Sequence, residues 1–203
     1  MERHFAKAIS YLFHPLLMPT LAMWLILNSD LYFIQFIPRD FKLTIYGLTF
    51  AFTCFMPVLN AIFLLKNGFI KSFQMETKEE RRIPFITTAI LYFSAYYLIH
   101  HDSIPMVIKL VLLGATLSVI LGLVVNFFWK ISAHMIGIGG LTGAMIGISV
   151  RFQLDQNLLI LGLILCSGAL GFARLKLKSH QPMQIYAGFF LGVICEFPLL
   201  LLG

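Results

Sequence analysis

Residues 104–128 read IPMVIKLVLLGATLSVILGLVVNFF, and Lys109 is the only charged side chain in this run. A helix that crosses a membrane needs roughly 20 consecutive, mostly apolar residues, so the run is long enough to span. Lipid accommodates only helices or closed barrels, and the run is continuously apolar rather than alternating. The stretch therefore predicts a transmembrane helix.

Six further apolar runs lie on either side of this one, at 12–28, 43–65, 84–99, 131–150, 154–172 and 182–202. The chain is 59% hydrophobic and 12% charged, with a mean hydropathy of +0.88, whereas about a quarter of the residues of a soluble domain are charged. These numbers predict an all-α, polytopic membrane helix bundle of about seven spans (six to seven). Residues 1–203 are expected to form a single integral-membrane domain.

Basic residues are distributed unevenly between the two predicted membrane faces. Seven spans place the amino terminus and the segments 66–83, 128–132 and 173–181 on one face, which then carries eleven of the 15 Lys and Arg residues. The positive-inside rule places this face in the cytoplasm, and we expect an integral protein of a bacterial inner membrane. The net charge of +6 is small and dispersed, which favours membrane lipids or a phosphorylated substrate over nucleic acid.

Three polar junctions on that face carry side chains suited to phosphate chemistry. Residues 173–184 read ARLKLKSHQPMQ, with Arg174 six positions before His180. His134 follows Ser132 at a second junction, and Lys78 precedes two arginines at a third. Fixed cations stabilise the charge of a phosphoryl transition state, and arginine grips two oxygens at once. One histidine can attack phosphorus while another protonates the leaving oxygen.

The order of these junctions resembles the type-2 phosphatidic acid phosphatase superfamily of integral-membrane lipid phosphatases. That family shows KxxxxxxRP, PSGH and SRxxxxxHxxxD in this order. The third motif matches at Arg174 and His180, with Ala173 in place of serine and Gln184 in place of aspartate.

The two other motifs match less completely. In the second, Ser132 and His134 are present, while Ile131 and Ala133 replace proline and glycine. In the first, Arg82 stands one residue too early before Pro84, Met75 occupies the lysine position, and Lys78 is the nearest replacement. The resemblance covers the chain from about residue 75 to its end.

The resemblance implies a phosphoric ester hydrolase that acts on a lipid or isoprenoid phosphate monoester or diphosphate, without metal or cofactor. His180 would be the nucleophile that forms a phosphohistidine, and His134 the general acid. The implied phosphate-binding residues are Arg174, Arg82, Lys78 and Ser132. Gln184, one helical turn after His180, could orient its ring but cannot stabilise an imidazolium as a carboxylate does.

Other interpretations of the same residues remain open. The chain could be a non-catalytic lipid-binding protein or a small transporter, in which Glu196, a carboxylate inside the last span, would be central and could pair with His14. Ser132 could be an ordinary helix N-cap, and Glu79 and Glu80 could neutralise Arg82. Residues 100–102, His-His-Asp, suggest a polar turn rather than a metal site. The cysteines at 54, 166 and 195 show neither metal-ligand spacing nor a disulfide pattern.

Overall fold

The computed structural model describes residues 2–75, 77–100 and 104–203, and within these ranges every regular element is helical. His101 and Asp102, which belong to the predicted polar turn, lie outside the described residues. The α-helices are α1 (Glu2–Leu12), α2 (Met18–Leu27), α3 (Tyr32–Gln35), α4 (Arg39–Phe50), α5 (Met56–Lys66), α6 (Arg82–Ile99), α7 (Met106–Phe128), α8 (Ala133–Phe152), α9 (Asn157–Lys176) and α10 (Pro182–Leu202).

Among the described residues, seven helical segments are long and apolar enough to cross a membrane. The first, Glu2–Leu27, combines α1 and α2, and the second, Arg39–Lys66, joins α4 and α5 through a π-helical turn at Ala51–Phe55. Each of α6 to α10 supplies one further span. The predicted all-α bundle of about seven spans is confirmed, and the chain is a membrane protein.

The first span is not one continuous helix. Pro15 cannot donate a backbone hydrogen bond, so α1 ends at Leu12 and a short 3₁₀ turn, Pro15–Leu17, leads into α2. A salt bridge of 2.6 Å between Lys176 Nζ and the carboxylate of Glu2 ties α1 to the end of α9. The sequence predicted that this span begins at residue 12. In the structure, α1 extends the helical segment back to Glu2.

Close backbone packing joins α8 to α10. A methyl group at Gly139 would overlap the carbonyl of Phe189, and one at Gly192 would overlap the carbonyl of Ile136. The glycines let the two helices approach more closely than larger side chains permit, as expected for helices that associate in lipid. The Ser132 amide donates to the Gln184 carbonyl at 3.4 Å, so the start of α8 is held beside the start of α10.

Candidate active site

A cavity of about 890 Å³ opens at the end of the bundle where α8 and α10 begin. Its wall combines residues from α1, from the segments before α6 and before α8, and from the connection between α9 and α10. The three polar junctions singled out in the sequence therefore lie at one end of the molecule. Six basic residues line this cavity: Arg3, Lys7, Arg81, Lys130, Arg174 and Lys178.

His180 reaches the cavity because of the way in which α9 ends. Lys178 has a positive φ of 53°, a left-handed conformation that commonly terminates helices. The Ser179 amide then donates to the Arg174 carbonyl at 3.1 Å, which turns the chain back toward the bundle. As a result His180, which is 7% exposed, lines the same cavity as Arg174.

Gln184 holds the His180 ring in one orientation and one tautomer. Its side-chain oxygen Oε1 lies 3.1 Å from His180 Nδ1 and also accepts the Gln181 amide hydrogen at 3.1 Å. A backbone N–H only donates, so the atom that faces it must be the amide oxygen rather than the amide nitrogen. His180 Nδ1 therefore carries the hydrogen, and Nε2 presents a lone pair. This Nε2 is buried and has no hydrogen-bond partner among the described residues.

The charge state of His180 follows from its surroundings. Burial lowers the pKa of its imidazole to about 3, and the neighbouring cations Arg81 and Arg174 add to this effect. The ring is therefore neutral at physiological pH, which is the form in which a histidine nitrogen is nucleophilic.

Two further buried polar atoms near His180, Arg174 Nε and Ser132 Oγ, lack partners in the described part of the chain. Arg174 donates from Nη1 to the Ser10 hydroxyl at 3.5 Å, but its Nε has no acceptor. Ser132 occupies the N-cap position of α8 without a side-chain capping bond, and its Oγ is also unpartnered. Leaving such an atom unsatisfied costs about 1–3 kcal/mol, so Arg174, which lines the cavity, favours a bound hydrogen-bond acceptor. Ser132 itself lies behind the cavity wall, directly before the lining residues Ala133 and His134.

His134 lines the cavity and belongs to a pair of histidines. Its Nε2 lies 3.2 Å from the Ser10 carbonyl, and its ring meets that of His14 edge-on, with the centroids 5.5 Å apart. Since a carbonyl oxygen only accepts, the Nε2 of His134 carries a hydrogen and Nδ1 is the basic nitrogen of the neutral ring. His14, which also lines the cavity, contacts His134 and not Glu196, the partner suggested by the sequence.

The structure places Arg81, and not Arg82 or Lys78, on the cavity wall. The Arg82 guanidinium lies 5.1 Å from the centre of the Phe127 ring, and Lys78 Nζ donates to the Phe127 carbonyl at 3.2 Å. Successive side chains at a helix start point about 100° apart, and here the two adjacent arginines face different surroundings. No ion pair joins Arg82 to Glu79 or Glu80 in the described part of the chain.

Hydrogen bonds fix Arg81 in place. Its Nε donates to the Met75 carbonyl at 2.9 Å and its Nη1 to the Ile131 carbonyl at 3.0 Å, which ties the segment before α6 to the start of α8. Burial, followed by the nearby Arg174, lowers the pKa of Arg81 to about 10, against an opposing effect of Glu80. Arg81 therefore remains a cation at neutral pH. The family motif pointed to Arg82 instead, because Arg82 stands nearer than Arg81 to the proline at position 84.

The interior of the cavity is lined mainly by apolar side chains, and its polar side chains are Thr88, Tyr92, Ser118 and, toward the inner end, Glu196. Below the histidines the wall is formed by side chains such as Met18, Ala22, Leu141 and Ala144. Glu196 lies at this inner end, 3% exposed, and its Oε2 has no partner among the described residues. The cavity thus combines a cationic mouth with an apolar interior, a division that suits an amphiphilic anion.

Comparison with protein-family models, curated proteins and solved structures finds no match to this chain. Within the described residues, no group of three or more His, Cys, Asp or Glu side chains is arranged as a metal site. Cys54, Cys166 and Cys195 all carry free thiols.

Proposed function

We propose that this protein is a membrane phosphatase that removes a phosphate group from a lipid or isoprenoid phosphate, as a divergent member of the type-2 phosphatidic acid phosphatase superfamily. The observation that carries this proposal is the state of His180. Its Nε2 is buried and unpartnered and carries the lone pair of the neutral ring, because Gln184 accepts the hydrogen on Nδ1. A nucleophilic nitrogen in a cationic, amphiphilic cavity matches the requirements of a phosphohistidine mechanism.

The reaction would proceed in two steps. The anionic phosphate favours the imidazolium form of His134, which takes up a proton from solvent at Nδ1 when the substrate binds. His180 Nε2 then attacks phosphorus, an N–P bond forms, and the bond between phosphorus and the ester oxygen breaks as this proton passes from His134 to the departing oxygen. A water molecule, deprotonated by His134, then attacks phosphorus and releases inorganic phosphate and neutral His180. Arg81 and Arg174 stabilise the charge on the phosphoryl oxygens in both steps. His134 would exchange its proton at Nδ1, since Nε2 is engaged with the Ser10 carbonyl.

The apolar interior supports an amphiphilic substrate over a soluble phosphate ester. A hydrocarbon tail that enters it gains about 0.8 kcal/mol for each methylene removed from water. The phosphate then remains at the mouth, beside the six basic residues. An acyl tail and a prenyl tail are both apolar, so either can occupy this interior.

Phosphate release from purified protein tests the proposal. The protein is supplied with mixed lipid and isoprenoid phosphates, and release is compared with that of His180→Ala and His134→Ala. We expect release from at least one substrate and its loss in His180→Ala. Glu196→Gln serves as the matched control, since it also changes a buried ionisable side chain of the same cavity. Absence of release from every lipid phosphate, with a folded wild-type protein, would contradict the proposal.

A second candidate function, a small transporter or non-catalytic lipid-binding protein, is favoured by one observation. Glu196 is a fully buried carboxyl inside a membrane span, and such residues often mark ion or substrate pathways. In that case Glu196→Gln would abolish function and His180→Ala would not. Uptake or lipid-transfer assays on reconstituted vesicles separate the two candidates.

We propose further that the cavity mouth faces the cytoplasm of a bacterial cell, on the strength of the uneven distribution of basic residues. Lys71, an exposed residue of the segment between α5 and α6, provides a labelling position. Lys71→Cys should react with a membrane-impermeant maleimide only after the cells are permeabilised. Reaction in intact cells would place the mouth on the outer side.

A further inference from the structure

Deep in its apolar interior, the cavity is lined by two buried polar side chains. Glu196 on α10 and Ser118 on α7 are 3% and 4% exposed, and both line the cavity. Glu196 Oε2 has no hydrogen-bond partner among the described residues, whereas the Ser118 hydroxyl lies beside the Cys195 thiol. The Glu196 carboxyl lies directly against Gly114, where an added methyl would come within 2.6 Å of its Cδ.

The distance from the mouth of the cavity to Glu196 can be read along α10. Gln184, which clamps His180, and Glu196 belong to the same helix. Twelve positions separate the two residues, from 184 to 196. At 1.5 Å per residue, they lie about 18 Å apart along the helix axis. A ligand with its phosphate beside His180 can therefore extend its tail for about this length before it meets the carboxyl.

A tail that reaches this point meets an unfavourable surface. A terminal methyl cannot satisfy a carboxyl or hydroxyl group, and burying a polar group without a hydrogen bond costs at least about 1–3 kcal/mol. Each earlier methylene gains free energy on leaving water, so the gain stops where Glu196 begins. The cavity thus favours chains up to one length and gives no advantage to longer ones.

We propose that Glu196 sets the maximum tail length of the amphiphilic phosphate that binds in this cavity, and is therefore a specificity-determining residue. This inference deepens the proposed function, because it takes the ligand to be an amphiphilic phosphate. It assigns Glu196 no part in hydrolysis.

Binding of alkylphosphonates of increasing chain length tests the inference without hydrolysis, since their carbon–phosphorus bond is not the ester bond that the proposed reaction breaks. The protein is reconstituted in lipid nanodiscs, and affinity is measured for wild type, Glu196→Leu and Glu196→Gln, referred to the free aqueous concentration of the analogue and corrected for its uptake by empty nanodiscs. For wild type, affinity should rise about fourfold per methylene and then level off. Glu196→Leu should shift the plateau to longer chains, and the longest analogues should bind at least about fourfold more tightly than to wild type. Glu196→Gln keeps the size and polarity of the side chain and should retain the wild-type profile.

Three outcomes would overturn the inference: no plateau in wild type, coincident plateaus in wild type and Glu196→Leu, or a shift in Glu196→Gln as large as in Glu196→Leu. If Glu196→Leu does not fold, Glu196→Met replaces it with an unbranched apolar side chain of similar length. A plateau that shifts as expected in a protein that releases no phosphate would support the length limit and contradict the phosphatase. Phosphate release with an unshifted plateau would do the reverse.

Discussion

The mouth and the inner end of the cavity both contain buried polar atoms without partners, yet the two regions differ in charge and construction. At the mouth, basic residues from four separate segments converge around His180, and the unpartnered atoms include a guanidinium nitrogen and an imidazole lone pair. At the inner end a carboxyl and a hydroxyl face an apolar chamber. The mouth is therefore suited to bind and attack an anion, whereas the inner end can only limit what fills the chamber.

The largest expected effect separates the two ends directly. His180→Ala removes the nucleophile and should lower phosphate release by at least about a thousandfold, because no other histidine on the cavity wall has its tautomer set by a side-chain amide. Glu196→Gln at the inner end should leave release of phosphate from a short-chain substrate within about threefold of wild type. Equal losses in the two variants would show that the ends do not have separate roles.

The next comparison tests the mouth itself with two adjacent arginines. Arg81→Gln should lower kcat/KM by about a hundredfold, since it removes a cation from the phosphate site. Arg82→Gln, the matched control, should stay within about threefold because its guanidinium packs on Phe127. The thermal unfolding midpoint of both variants distinguishes lost chemistry from lost structure, as Arg81 also bonds two backbone carbonyls. A larger loss in Arg82→Gln than in Arg81→Gln would restore the assignment made from the sequence.

The helix pair that supports both ends provides a stability test. Gly192→Ala would place a methyl against the Ile136 carbonyl and within 2.5 Å of the Gly140 amide nitrogen. We expect it to destabilise the protein by about 1–3 kcal/mol, as overpacking does, and to lower its thermal unfolding midpoint in detergent. Gly162→Ala on α9, where a methyl meets no atom within 4 Å, is the control and should leave the midpoint unchanged or slightly raised. Equal midpoints for the two variants would contradict the close packing of α8 and α10.

The smallest effect concerns protonation at the mouth. With a folded-state pKa of about 3, His180 should stay neutral and protonated on Nδ1 at pH 5, as measured by ¹⁵N NMR of labelled histidines and assigned with His180→Asn. An unfolded chain takes up this proton near pH 6.5. Folding stability from this group is therefore fully present above about pH 6.5 and is lost as the pH falls toward 3. An imidazolium signal for His180 at pH 6 would show that the ring is more hydrated than its burial indicates.

Much of the architecture could be predicted from the sequence because membrane spans are long, continuous and nearly free of charge. The runs at 104–128 and 182–202 agree closely with α7 and α10, since lipid leaves the backbone of an apolar run no alternative to a helix. The relation of Gln184 to His180 was also predictable. Residues four apart lie on one side of a helical turn, and the observed contact is 3.1 Å.

Other parts of the candidate site could not be predicted. The sequence identified a pair of adjacent arginines, but which of them faces the cavity depends on how the segment before α6 enters the helix. The contribution of α1, including Arg3 and Lys7 on the cavity wall, was missed because its polar helix precedes the first apolar run. The sequence suggested that His14 could pair with Glu196, whereas in the structure the His14 ring packs against His134.

The amino-acid sequence alone determined the class of the protein, the number of its spans and the positions of the three polar junctions, because hydropathy and residue spacing are local properties of the chain. Only the tertiary structure decided that Arg81 rather than Arg82 lines the cavity, that α1 covers one side of its mouth, and that Glu196 lines its interior. Such relations depend on the rotation and separation of packed helices. These are set by contacts between residues far apart in sequence, such as those of Gly139 and Gly192 with the facing helix.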